Sequence, residues 1–366
     1  MSTPVSIGVI GCGRISGQYL WNIKQFPGLR VVACADLDVE LAKSKAAEFN
    51  VPKGCSVEEL LNDKTIELVL NLTIPKAHYS VAMQCLSHGK HVYCEKPLGI
   101  TRDEGRQILE EATRRNLKVG CAPDTFLGGG LQTARKLIDD GAIGRPVAFT
   151  AAMMCRGHES WHPSPEFYYE PGGGPMFDMG PYYLTALLNL LGPVKRLTGA
   201  ASIAIPERII TSEPKRGQTF QVHTPDHIAG TMEFENGCIG TIMTTFATMH
   251  PVHDGGQPLV IYGETGTLRV LDPNLFDGPV HLRTEHDAEW QEIAPMFPVG
   301  YGRGIGAADM AEGLRTGNSF RANGEQGMAV LDLMQGFLDS AYDGRAFRSG
   351  VVYSRPAMMT HDMRLV

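Results

Sequence analysis

The chain has 366 residues, of which 43% are hydrophobic and 20% charged, a composition that fits a globular protein with room for two domains. A net charge of −7 excludes the basic footprint of a nucleic-acid or anionic-membrane binder. Eight scattered cysteines with no C-x-x-C pair argue against a disulfide scaffold or zinc knuckle and fit a reducing cytoplasm.

The first apolar run, Val5 to Ile10, is too short for a signal core or a membrane span, so a cytoplasmic location is expected. It reads as a strand and ends in Gly11-Cys12-Gly13-Arg14-Ile15-Ser16-Gly17, with a helical pattern to about Phe26. Arg30 to Ala35 is a second buried strand, ending at Asp36. A helix over Leu41 to Phe49 follows, then a capping box at Ser56-Val57-Glu58-Glu59. Further strands are predicted at Ile66 to Leu72, His91 to Cys94 and Leu117 to Cys121. Helices are predicted at Ala77 to Leu86 and, after a second capping box at Thr101, to about Asn116. Such alternation implies right-handed crossovers and a parallel sheet covered on both faces.

After Asp124 the pattern changes. One helix spans Thr133 to Asp139, and strands are predicted at 147–154, 194–205, 227–234, 238–246, 258–262, 267–271 and 280–284. A long amphipathic helix covers Gly324 to Tyr342. The expected architecture is α/β: a Rossmann domain over 1–123, then an α+β domain over 124–366 with a large, mostly antiparallel open sheet.

The glycine turn follows a strand and opens a helix, the context a dinucleotide needs. Gly11 permits the tight turn, and Gly13 lets the backbone approach a pyrophosphate on the helix N-terminus, beside Arg14 and Ile15. Ser16 replaces the usual third glycine. Asp36 would accept the ribose hydroxyls and repel a 2′-phosphate, and no arginine follows it, so NAD is expected over NADP. Lys96, in Glu95-Lys96-Pro97, sits just past a strand C-terminus, where ligands gather, and is the candidate proton-transferring group. Asp124 and Thr125, past the last Rossmann strand, are candidate hydroxyl binders.

His158-Glu159-Ser160-Trp161-His162 matches H-E-x-x-H, but Gly157 and Pro163 flank it and no helical period surrounds it, so no metal is expected. It reads instead as a substrate loop. Trp161 would wall a sugar face or the nicotinamide, and His162 would bind a hydroxyl or act as base. Glu166, Tyr168 and Tyr169 are weaker candidates, and His250-Pro251-Val252-His253-Asp254 reads as a solvated loop.

Taken together, the residues resemble the glucose–fructose oxidoreductase and inositol dehydrogenase (Gfo/Idh/MocA) family of nicotinamide-dependent sugar and polyol oxidoreductases. The resemblance rests on the glycine turn, on Thr73-Ile74-Pro75 with His78, and on Gly89 through Leu98 with the Glu95-Lys96-Pro97 motif. It continues in Gly141-Ala142-Ile143-Gly144 and in Gly172-Gly173-Gly174 running into Asp178-Met179-Gly180. It implies NAD contacts from Thr73, Pro75, His78, Glu95 and Lys96, catalytic roles for Lys96 and Asp178, and a homodimer or homotetramer through the C-terminal sheet. The family's usual histidine, four residues after the aspartate, is Tyr182 here, so Lys96, Tyr182 and His162 all remain candidates for the base. The stretch from Gly157 to Gly192 resembles a subgroup that includes D-apiose dehydrogenase, which implies oxidation of an aldose to a lactone. Inositol or other polyol oxidation, and a non-catalytic NAD-binding sensor, are the alternatives.

Overall fold

A computed structural model describes residues 3–249, 258–297 and 300–364, so the segment His250 to Asp254 lies outside the described residues. The chain forms two compact units, Met1–Gly128 with Phe297–Leu331 and Pro356–Val366, and Gly129–Met296 with Asp332–Arg355. The division is discontinuous, where one boundary at 123/124 was expected, because the chain returns to the first unit after Met296.

The first unit opens with alternating elements: β1 (Val5–Ile10), α1 (Arg14–Ile23), β2 (Leu29–Ala35), α2 (Val39–Phe49), β3 (Lys53–Cys55) and α3 (Val57–Asn62). They continue with β4 (Leu68–Asn71), α4 (Pro75–Ser87), β5 (His91–Cys94), α5 (Arg102–Arg114) and β6 (Val119–Cys121). The six strands pair in parallel in the order β3-β2-β1-β4-β5-β6. β1 and β4 are buried at every residue, as strands covered on both faces must be. Local chemistry sets the helix starts. Ser56 and Glu59 form the reciprocal capping box, Asp38 accepts from Glu40 N and Leu41 N, and Pro75 takes the first turn of α4, where its missing N–H is harmless. Seven of the eight cysteines are buried, behaving as small hydrophobes.

The second unit contains α6 (Gly129–Asp139), β7 (Pro146–Met154), α7 (Gly174–Asp178), α8 (Gly180–Leu191), β8 (Val194–Ser202), β9 (Glu207–Ile209) and β10 (Thr219–Gln221). β11 (His227–Phe234), β12 (Ile239–Thr245), β13 (Leu259–Gly263), β14 (Gly266–Val270), β15 (Val280–Thr284) and β16 (Gln291–Ile293) complete it. Eight strands form a sheet in the order β16-β15-β14-β13-β7-β12-β11-β8, antiparallel except between β7 and β12. Every residue of α8 is buried. Its few polar residues, such as Thr185 and Asn189, are buried too, so no solvent-facing stripe reveals a helical period in the sequence.

The chain then returns to the first unit with α9 (Ile305–Thr316) and passes to the second within α10 (Gly324–Asp343). In the second unit, Gly199 of β8 and Gly230 of β11 face each other across the ladder. A Cβ on Gly230 would lie 2.7 Å from the Phe337 ring, so the missing side chain is what admits that ring. Ser340 fastens the same helix to the sheet, accepting from Gly199 N at 3.0 Å. No helix among the described residues is long and apolar enough to cross a membrane.

Phe337 is fully buried, so Phe337→Ala leaves a cavity over the two glycines. The expected loss is about 3–5 kcal/mol, read by chemical denaturation, and a loss below about 1 kcal/mol would refute the packing described.

Candidate active site

In the first unit the glycine turn has the shape a pyrophosphate needs. Gly11 has φ +99°, and a Cβ there would stand 2.7 Å from the Leu72 carbonyl, so only glycine fits. Gly13 is the N-cap of α1, and a Cβ on it would meet no atom within 4 Å, which leaves the approach to the helix N-terminus open. Ser16 is buried and donates its hydroxyl to Gly13 O at 2.7 Å, so it braces the turn. Asp36, half-buried at the end of β2, accepts from Cys12 N at 2.7 Å and from Asp38 N at 3.1 Å. Those bonds aim the carboxylate beside the turn. Arg14 is exposed, and Ile15, Thr73 and Pro75 are half-buried. Thr73 donates its hydroxyl to Asn71 Oδ1 at 2.6 Å. These residues fit a dinucleotide.

Past β5 the Lys96 loop is held from beneath. Glu95 is buried, accepting from Tyr19 OH at 2.7 Å and from Lys96 N at 3.0 Å. It therefore supports the backbone of Lys96 from within the core. His78 is likewise taken up inside the unit. It is fully buried, with its ring nitrogens 2.6 Å from Pro97 O and 2.9 Å from Thr73 O. It staples the loops after β4 and β5 together, and burial pushes its pKa down. Asp124 and Thr125, expected to bind hydroxyls, are core residues. Asp124 accepts from Gly304 N at 2.8 Å and Gly306 N at 3.1 Å, holding the turn into α9, and burial raises its pKa against the pull of Arg303.

In the second unit, the loop between β7 and α7 carries His158, Trp161 and His162, and α7 ends on Asp178. His158 Nε2 lies 2.9 Å from Asp178 Oδ2. The next residue, Glu159, turns the other way. It accepts from Arg208 Nη1 at 2.6 Å and from Tyr169 OH at 2.8 Å. Arg208 donates its other terminal nitrogen to Asp226 at 2.6 Å, and its guanidinium lies 4.5 Å from the Tyr169 ring centre. Thr211 N and Ser212 N both donate to Glu159 O at 2.9 Å. These contacts pin the loop at its middle.

The H-E-x-x-H stretch makes one helical turn, with His162 N on His158 O at 3.0 Å, and the side chains of His158, Glu159 and His162 go to different partners. His162 Nδ1 accepts from Ser164 N at 3.1 Å. Among the described residues no group of three or more His, Cys, Asp or Glu is placed to hold a metal ion. Trp161 is 46% exposed and lies edge-on to His158, ring centres 5.1 Å apart, and Tyr168 stands 4.0 Å from the same imidazole. Glu166 is paired with Lys215 at 2.5 Å. Tyr182 is buried in the first turn of α8. The resemblance implies a catalytic role for Asp178, but its bond to His158 has no mark in the sequence. A contact spanning 20 residues and an irregular loop leaves no periodic signal.

Residues 5–122 match the model of an oxidoreductase family with an NAD-binding Rossmann fold, and residues 131–269 match the GFO/IDH/MocA C-terminal domain. An oxidoreductase of Schizosaccharomyces pombe is 27% identical over 60% of this chain, but the match spans only 63% of that relative. Trans-1,2-dihydrobenzene-1,2-diol dehydrogenase of Bos taurus is 24% identical over 84% of this chain and 86% of its own. A solved structure of levoglucosan dehydrogenase in complex with NADH and levoglucosan has the same fold, with a TM-score of 0.83 and 20% identity over 96% of this chain and all of that one.

Gly11→Ala tests the turn. With φ at +99° and no space for a Cβ, the variant should bind NADH at least about tenfold more weakly in a fluorescence titration. Unchanged affinity would show that the turn does not carry the cofactor.

Proposed function

The chain belongs to the Gfo/Idh/MocA family of NAD-binding oxidoreductases, and on that premise we propose that it oxidises a hydroxyl of a sugar or polyol with NAD. The observation that carries the substrate class is the His158–Asp178 pair, 2.9 Å apart and flanked by the rings of Trp161 and Tyr168. Hydrogen-bonding groups for hydroxyls beside apolar ring faces suit a sugar, which presents both kinds of surface. The specific substrate assigned is an aldose oxidised at C1 to a lactone, as in a D-apiose dehydrogenase, with inositol or another polyol as the alternative.

NAD, when bound, supplies the hydride acceptor. Gly11, Gly13, Arg14 and Ile15 would hold its pyrophosphate on the N-terminus of α1, and Asp36 its ribose, with Thr73 and Pro75 on the neighbouring loop. Lys96 is the proton-transferring residue, its backbone fixed by Glu95. Asp178 and Tyr182 bind and orient the substrate hydroxyl, and Trp161 and His162 line the approach. The exposed Val147, Ile239 and Tyr262 support assembly as a homodimer or homotetramer through the eight-stranded sheet. The buried free cysteines suit the cytoplasm.

A panel of aldoses and polyols with NAD, followed by formation of reduced cofactor, tests the reading. Tight NADH binding with no turnover on any member would replace it with a sensor. Lys96→Met should lower kcat at least about a hundredfold and leave NADH affinity within a few fold. Near-normal turnover in that variant would remove Lys96 from the chemistry. For the cofactor, NADH should bind better than NADPH, and Asp36→Ser should narrow the gap, because it removes the charge that repels a 2′-phosphate.

A further inference from the structure

His158 is more than a wall of the loop. An ionised carboxylate only accepts, so at 2.9 Å the Asp178 oxygen takes a proton donated by Nε2. A neutral imidazole then presents a lone pair at Nδ1. That nitrogen has no hydrogen-bond partner among the described residues, and it is not among the buried unpaired atoms, so it is the open end of the ring. The ring is held in place on its other sides. Trp161, Tyr168 and Phe246 surround it at 5.1, 4.0 and 4.7 Å, and its own backbone N–H donates to Tyr169 OH. Glu159, one residue on, is locked to Arg208. An imidazole with one nitrogen on a carboxylate, the other free and its rotation blocked is the arrangement of an oriented general base.

We propose that His158 is the residue that takes the proton of the substrate hydroxyl, with Asp178 as its orienting carboxylate. The inference rests on the dehydrogenase reading above and changes one assignment in it: the proton of the hydroxyl goes to His158 in place of Lys96. The step balances. The O–H bond breaks and its proton goes to Nδ1, while the O–H electron pair becomes the second carbon–oxygen bond. The C–H bond breaks, and its electron pair leaves with the hydride for the nicotinamide. The carbinol carbon is oxidised and NAD is reduced. Asp178 stabilises the imidazolium and stays ionised.

Among the described residues, the titratable groups around the ring and its carboxylate include Asp178, Glu159, Arg208, His162, Cys155 and the phenols of Tyr168 and Tyr169. The experiment uses the full-length chain with NAD and the sugar from the panel that the wild type turns over. His158→Gln should lower kcat about a hundredfold with KM changed by only a few fold, and should flatten the rise of kcat/KM with pH. Added imidazole should restore several-fold activity to His158→Ala, a response that a structural role would not give. Without substrate, the ring nitrogen spectrum of the wild type should show a protonated Nε2 and a bare Nδ1, and both variants should keep wild-type NADH affinity.

Wild-type rates and an unchanged pH profile in His158→Gln would overturn the inference and leave the dehydrogenase reading standing. A proton found on Nδ1 in place of Nε2 would also overturn it. So would lost activity that imidazole does not rescue, accompanied by a lowered thermal midpoint, since His158 would then be structural. A wild type that turns over no member of the panel would instead sink the parent reading, and this one with it.

Discussion

One buried guanidinium organises what the second unit offers to a ligand. Arg208 is 2% exposed and lies between Glu159 and Asp226, whose side chains are 11% and 0% exposed. Isolated, each charge would be costly so far from water, and removing one partner of such a cluster typically costs about 3–5 kcal/mol. Together they are satisfied almost completely. Asp226 also accepts from Ala204 N and Ile205 N, Glu159 also accepts from Tyr169 OH, and Arg208 also donates to Arg156 O and Phe246 O. The cluster ties β9, the end of β12 and the loop after β7 to one point. His158 is adjacent in sequence to one member, so its ring orientation follows from the clamp.

The first unit reaches a similar end by different means. Its functional loops follow the C-terminal ends of parallel strands, where backbone groups are left over and ligands are commonly bound. Buried polar side chains take up those groups. His78 ties the loop after β4 to the loop after β5, Glu95 fixes the backbone of Lys96, and Asp124 holds the turn into α9. All three stood out in the sequence as candidates for ligand contact. Polar residues near a site are easily read as contacts when they are the supports on which contacts rest. Burial separates the two roles, and burial depends on the packed structure.

Local pattern carried much of the fold. Buried apolar runs marked the central strands of the first sheet, and capping residues marked the starts of α3 and α5. Alternation marked most strands of the second sheet. The elements that escaped had weak signals for identifiable reasons. β3, β9, β10 and β16 have three residues each, too few to show a period. α8 is buried all round and has no solvent-facing stripe. α9 begins at a glycine N-cap with no side-chain hydrogen bond, so no capping residue announces it.

The sequence by itself determined the fold class, the glycine turn with Asp36 beside it, and the motif around Lys96. Each is written in neighbouring residues, through strand and helix periods and through the backbone freedom of glycine. Only the tertiary structure decided that the chain returns to the first unit after Met296, that Asp124 and His78 are supports, and that Asp178 bonds to His158. These depend on contacts between segments far apart in the chain, and on desolvation, which acts on a side chain only once the whole unit has packed around it.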